Sequence, residues 1–327
     1  MKRAYSLLFI RKTANAIWSY CGYLLSAITH KPHCYGMPFL FSVEIASCCN
    51  LRCPQCPSGT LALTRRRGTM PMDLYKTIID EISGHALYTT LYLQGEPFLN
   101  KDFCEMAEYA HKKRIYTATS TNGQLINSEL AERIVASGLD KIIVSVDGAT
   151  QESYEKYRIG GQIDKALNAI KLIVDEKKKS RKSKPLIEMQ MLLFKHNENE
   201  VDAARDLAKT YGADKFTLKT AQIYDYKQGN ELIPTNESFS RYIKLDDGTY
   251  SIKRTLHNRC ARVFTSACFT IDGDVTPCSF DKNAEHSFGN IKQSSLKEIW
   301  HGRKANEFRA TILKHRTDVD ICTNCVY

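Results

Sequence analysis

The sequence predicts a parallel α/β domain, open or barrel-like, and three observations carry that reading. Six short apolar runs alternate with helical patterns between about residues 40 and 225. Thiol-rich or turn-forming motifs follow the ends of four of those runs, where parallel α/β folds collect their chemistry. The alternation then stops, and a separate cysteine-bearing stretch begins near residue 259.

Taken in order, residues 1–38 form an N-terminal extension. Within it TANAIWSYCGYLLSAIT (13–29) is apolar but short, and Asn15, Ser19 and Gly22 interrupt it. It reads as an amphipathic helix rather than a membrane span. That helix has two readings, packing on the main domain or peripheral membrane contact through Trp18, Tyr20, Leu24 and flanking Lys and Arg. The core spans 39–225. Its strands are expected at 39–46, 89–94, 115–120, 141–147, 186–193 and 214–219, with helices at 72–82, 101–113, 127–138, 162–179 and 199–212. The basic run EKKKSRKSKP (176–185) reads as a solvated loop. A connecting segment (226–258) leads to a tail domain (259–327), in which Asp272 and Gly273 sit between two alternating runs and mark a tight hairpin.

Composition bounds the function. With 327 residues, 43% hydrophobic and 25% charged, the chain has room for one large domain and a small appendage. Its twelve cysteines cluster, and no cleavable secretory signal precedes them. Metal ligation in a reducing cytoplasm is therefore expected over a disulfide framework. The net charge of +10 lacks the aromatic-and-basic stripe or reader motif of a nucleic-acid binder, so no nucleic-acid partner is expected.

The first run ends in CCNLRCPQC (48–56). Cys49, Cys53 and Cys56 stand as C-x3-C-x2-C, whereas a zinc ribbon pairs two C-x2-C units to complete four ligands. Three thiolates in one tight loop suit a cubane in which three of four irons are protein-bound and one stays open. GEP (95–97), TNG (121–123) and SVDG (145–148) end the next three runs. Gly95 allows backbone to approach a bound cofactor closely, and Glu96 with Pro97 makes a rigid strand end able to receive an ammonium group. Ser145 and Asp147 share a strand face and can bond ribose hydroxyls. Arg158 can pair with a carboxylate, and Asn122 with Gly123 shapes a turn lining the substrate side.

This combination over about 40–225 resembles the radical S-adenosylmethionine enzymes. The resemblance implies a partial (β/α)6 TIM-like barrel with a [4Fe-4S] cluster on Cys49, Cys53 and Cys56. It also implies S-adenosyl-L-methionine on the open iron, cleaved reductively to a 5′-deoxyadenosyl radical that abstracts hydrogen from a substrate. Two residues depart from the family pattern. Gln55 replaces the usual aromatic before the third cysteine, so adenine contacts are expected from Gln190 or Leu218, and Gln94 replaces the first of two glycines before Glu96.

In the tail, Cys260, Cys278, Cys322 and Cys325 could hold either one zinc or an iron–sulfur cluster by spacing alone. The arrangement resembles the SPASM or shorter twitch extension of radical S-adenosylmethionine enzymes, which implies an auxiliary [4Fe-4S] cluster with four thiolates. With Cys325 two residues from the end, the single-cluster form is expected, as in the aminocyclitol dehydrogenase of aminoglycoside biosynthesis. Cys21, Cys34, Cys48, Cys104 and Cys268 read as buried small hydrophobes.

The expected activity is oxidation or another modification of a small molecule or peptide, the auxiliary cluster accepting an electron. The alternatives are a maturase for a ribosomally made peptide or a protein side chain and, outside enzymes, a structural metal-binding protein. A short N-terminal extension favours a small molecule, a peptide presented by a partner, or a lipid-linked substrate. Asp281, Tyr224, Asp225 and His257 are the candidate bases, since Ser279 stands where sulfatase-maturing relatives carry a carboxylate. A flavodoxin- or ferredoxin-type donor and a cytoplasmic, membrane-peripheral location complete the expectation.

Overall fold

The computed structural model describes residues 2–326, with side chains from position 7 onward. Helix α1 (Lys2–Thr29) precedes strand β1 (Leu40–Val43). The repeat continues through α2 (Met72–Ile82), β2 (Tyr88–Thr90), α3 (Phe103–Lys112), β3 (Tyr116–Thr121), α4 (Ser128–Ala136) and β4 (Lys141–Ser145). It closes with α5 (Gln151–Tyr157), α6 (Ile163–Lys179), β5 (Leu186–Leu193), α7 (Val201–Thr210) and β6 (Lys215–Thr220). A hairpin of β7 (Tyr242–Lys244) and β8 (Tyr250–Ile252) follows. The tail comprises α8 (Arg262–Thr265), β9 (Ser266–Phe269), β10 (Asp274–Thr276), β11 (Gly289–Asn290), α9 (Leu296–His301) and α10 (Arg303–His315).

Every expected strand and helix of the core forms, because local signals agree with the hydrophobic period. Asn127 caps α4 by accepting from Leu130 N–H, and Thr150 with Ser153 makes a capping box at α5. The second strand ends at Thr90 rather than 94. Leu91 N–H still bonds Ala118 O (2.7 Å), but the chain then turns away through Gly95 at φ +71°.

Strands β1 to β6 pair in sequence order, all in parallel, as a curved open barrel with helices outside. The buried faces of α2 (Leu74, Ile78, Ile82) and α6 (Leu167, Ile170, Ile173) seal one continuous core. The sheet does not stop at the barrel. β9 pairs with β1 in parallel, and β10 and β11 extend the sheet antiparallel beyond it. Sheet continuity thus crosses residue 258, where the sequence suggested a boundary. The 272–273 turn forms as expected, with Gly273 at φ +92°.

α1 is longer than the apolar stretch suggested, and its polar face is the one that packs. Lys12 Nζ donates to Arg114 O (2.8 Å), Ser19 Oγ to Phe264 O (2.7 Å), and Asn15 brackets Met37 with two bonds. Gly22 is required here, since a Cβ would stand 2.4 Å from His33 O. Cys21 is exposed, correcting its reading as a buried hydrophobe, because it points away from this packed face. No helix among the described residues is long and apolar enough to cross a membrane.

The tail anchors through Trp300, fully buried, whose Nε1 donates to Gly36 O (3.1 Å) while the Arg309 guanidinium stacks 4.1 Å from its ring centroid. Trp300→Ala is expected to cost roughly 3–5 kcal/mol, read as a fall in the denaturant midpoint without loss of far-ultraviolet helix signal.

Candidate functional site

The loop after β1 is built to crowd its cysteines. Gly95 lies so close that a Cβ would stand 2.5 Å from Ala46 O and 2.6 Å from Cys48 O, and Glu96 N–H donates to Cys48 O (2.8 Å). The close approach that Gly95 permits is therefore to the cysteine loop itself. Gly59 covers Cys53 equally tightly from the other side. Cys53 is buried, with Cys49 and Cys56 packed against the same cluster. Burial pushes the Cys49 thiol up to about 11, with Glu96, Cys56 and Cys53 as electrostatic neighbours.

The later strand ends converge on this loop. Glu96 is buried and accepts from Thr121 Oγ1 (2.7 Å), Asn122 N–H (2.8 Å) and Phe98 N–H (3.3 Å). Burial raises its pKa against those bonds, so a cationic group beside it would be favoured. Pro97 opens a short turn after it. Asn122 Nδ2 donates to Asn50 Oδ1 (2.8 Å) and reaches Cys49 Sγ at 3.8 Å. Asp147 has both oxygens engaged, one by Arg158 Nε (2.6 Å) and one by Leu192 N–H (2.7 Å). Arg158 Nη1 in turn lies 3.9 Å from Cys53 Sγ. Burial opposes the guanidinium charge, but Asp147 and Cys53 outweigh it. Ser145 sits beside Gln190 across the β4–β5 register, and Gln190 Oε1 is buried with no partner among the described residues.

The tail cysteines gather around a residue that spacing did not flag. Arg316 is buried, donates to Arg259 O (2.7 Å) and to Cys325 Sγ (3.5 Å), and has Cys260 and Cys322 as electrostatic neighbours. Cys278 faces Cys268, Cys260 and Cys322. Among the described residues no three His, Cys, Asp or Glu converge tightly enough to chelate a single ion.

A cavity of about 770 Å³ lies between the two sets. Its walls include Gln55 and Cys56 from the first loop, Asp281 and Lys282 after Cys278, and Thr323 and Asn324 between the last two cysteines. Gln55 braces it: its Oε1 accepts from Tyr224 N–H (2.9 Å) and its Nε2 donates to Asp225 Oδ1 (3.2 Å). Asn324 braces the same segment through Ile223 O (2.8 Å) and is itself held by Tyr242 OH (2.9 Å). Tyr224, Asp225 and Asp281 line the cavity, whereas His257 is exposed and outside it. Asp281 accepts from Glu285 and His286 N–H, and burial raises its pKa.

Lys282, like Arg316, escaped sequence reasoning. Its Nζ reaches Tyr224 OH and Gln222 Oε1 (3.3 Å), and no carboxylate pairs with it among the described residues. Burial lowers its pKa to about 8. The signal available was its position four residues beyond Cys278 and next to Asp281, the candidate base.

The family model for the radical SAM superfamily matches residues 43–208, and that for an iron–sulfur cluster-binding domain, SPASM, matches 260–326. The chain belongs to the radical SAM superfamily. It is 28% identical over 177 residues to an AdoMet-dependent heme synthase of Methanosarcina barkeri, a match covering 54% of this chain and 48% of that one. It is 29% identical over 207 residues to the mycofactocin maturase MftC of Mycobacterium ulcerans, covering 62% and 53%. The chain thus spans about half the length of these curated relatives. The structure of Streptococcus suis SuiB bound to S-adenosylmethionine superposes with a TM-score of 0.66 at 15% identity, over 93% of this chain and 75% of that one, a likeness of fold. A radical SAM core binds S-adenosylmethionine with a [4Fe-4S] cluster, and a SPASM domain binds auxiliary iron–sulfur clusters. The three-thiol loop, the buried Glu96 carboxyl and the unpartnered Gln190 oxygen are groups that such cofactors can use.

Gly95→Ala is expected to displace the cysteine loop, because the clash is with backbone and φ is +71°. Reconstituted protein should lose close to half its iron while its far-ultraviolet spectrum stays unchanged.

Proposed function

We propose that this protein is a radical SAM enzyme that oxidises, or otherwise modifies, a small molecule or peptide seated between two iron–sulfur clusters. In this reading Cys49, Cys53 and Cys56 hold the first cluster, and Cys260, Cys278, Cys322 and Cys325 the auxiliary one. When bound, the first cluster and S-adenosylmethionine supply hydrogen-atom abstraction, and the auxiliary cluster supplies an acceptor for the second electron. The observation that carries the proposal is the single cavity walled by both cysteine loops.

The chain's own groups then have defined tasks. Glu96, with Gly95 and Pro97 fixing its backbone, would receive the cofactor ammonium, while Asn122 holds the loop bearing Cys49. Ser145 and Gln190 offer polar atoms to the nucleoside, and Asp147 acts mainly by orienting Arg158 beside Cys53. Lys282 supplies positive charge to an anionic substrate group, and Asp281, Tyr224 and Asp225 are the nearby proton-accepting candidates. A maturase among the relatives supports a peptide substrate, and a heme synthase supports a small molecule. We take a flavodoxin- or ferredoxin-type protein as the electron donor, and a reducing cytoplasm as the setting, peripheral to a membrane through α1.

Anaerobically reconstituted protein should be brown, with about eight iron and eight sulfide per chain for two cubanes, and should release 5′-deoxyadenosine on reduction with S-adenosylmethionine. Cys53→Ala should abolish that release. Cys322→Ala with Cys325→Ala should halve the iron yet preserve release; colourless protein containing only zinc would sink the proposal. Lys282→Met should slow turnover of an anionic substrate about tenfold or more, as expected for one lost charge-assisted contact, while substrate-free 5′-deoxyadenosine release continues.

A further inference from the structure

α1 shows solvent the face that a globular helix ordinarily hides. Leu7, Ile10, Ile17, Leu24 and Ile28 fall on one stripe at helical spacing and are 45 to 76% exposed. Trp18 and Tyr20 border the stripe on either side and are exposed as well. The opposite side carries Lys12, Ser19 and Ser26, spaced by seven and each at most 3% exposed; Lys12 and Ser19 bond the body of the protein, while Ser26 bonds Gly22 O within the helix and His33 N–H just beyond it. Packing against the barrel therefore accounts for the polar face of α1 and leaves its apolar face without a partner.

Charge around that face is mostly basic, although Asp140 and Glu108 also line it and pair with Lys184 and Lys112. Residues 2–29 contain no Asp or Glu, and Arg11 flanks the stripe. Beside the N-terminal half of α1 a cavity of about 650 Å³ is lined by Leu8, Phe9, Lys12, Lys112 and Arg114. It shares His111 and Lys112 with a neighbouring cavity walled by Arg181, Lys182 and Lys184. The basic run read from sequence as a solvated loop thus lies along the same side of the molecule as α1. It is a rim at the ends where β3, β4 and β5 begin, opposite the strand ends that carry the cysteine loop.

We propose that α1 and this basic rim dock the enzyme on an anionic lipid bilayer, with the apolar stripe sunk among the acyl chains and Trp18 and Tyr20 at headgroup level. A second copy of the helix fits less well. Paired helices take their register from opposite charges flanking the seam, whereas the flanking positions here hold Arg11, Thr13, Trp18 and Tyr20. Docked by its strand-start end, the protein keeps the mouth of the cysteine-lined cavity directed away from the bilayer, toward a water-soluble substrate. The inference goes beyond the cavity's chemistry and does not depend on it.

The test is co-sedimentation of the full reconstituted chain with phosphatidylcholine vesicles, with and without about one third phosphatidylserine. Binding is expected with the anionic vesicles, weakening as salt rises. Ile17→Asp with Leu24→Asp should abolish it, and Arg181→Ala and Lys182→Ala should each weaken it about fivefold. Iron content and far-ultraviolet spectra should stay those of the parent. Recovery of the parent in the supernatant with both vesicle types would overturn the proposal, as would equal binding to neutral and anionic vesicles. A dimer in sedimentation equilibrium that Ile17→Asp dissociates, without vesicle binding, would assign the face to a second copy instead. Because Arg181 and Lys182 lie outside α1, their effect stays readable even where the helix substitutions unfold the N-terminus.

Discussion

Arg65 stands where three segments must meet. Its guanidinium grips both oxygens of Glu44 at the end of β1, at 2.6 and 2.5 Å, and its Nε donates to Lys282 O (2.6 Å) in the loop after Cys278. Glu44 is fully buried and also accepts from Ile271 N–H (3.1 Å) in the tail hairpin. Burial pushes the Glu44 carboxyl up, and Arg65 opposes that shift. Such a pair adds little net stability over an apolar one, but removing one partner strands the other at about 3–5 kcal/mol. We read its contribution as register: the first cysteine loop, β1 and the loop carrying Lys282 are held in one arrangement.

That register makes one cavity out of two cysteine sets. The parallel pairing of β9 with β1 brings the tail alongside the barrel, and Asn324, between the last two cysteines, bonds the exit of β6. Gln55 reaches that exit from the other side. The residue that replaces the family's aromatic is thus a brace between the first loop and residues 224–225. Lys282 enters the cavity with its backbone held by Arg65 and its Nζ bonded to Gln222 and Tyr224.

The alternation of core strands and helices was legible because period, caps and turns agreed at every step. β5 runs over Leu186–Leu193 and α2 over Met72–Ile82, the spans their hydrophobic patterns suggested. The cysteine loop and the strand-end motifs were legible too, since each is a local cluster of uncommon residues. Arg316, Arg65 and Lys282 were not, because a basic residue in a polar stretch looks like a solvated one until its neighbours are known. α1 was legible only in part. Its apolar run left packing and membrane contact both open, and Lys12 and Ser19 pack inward because each finds a backbone oxygen outside the helix to bond.

By itself the sequence determined the kind of chemistry: a three-thiol loop at a strand end, a four-thiol tail and the periodicity of an α/β repeat are all written within short windows. Only the tertiary structure decided which groups share a site. Gln55 meets Asp225 across 170 residues, and Glu44 meets Ile271 across 227. Hydrogen bonds and charges act through space over a few ångströms, and chain separations of that length leave no local pattern that announces the meeting.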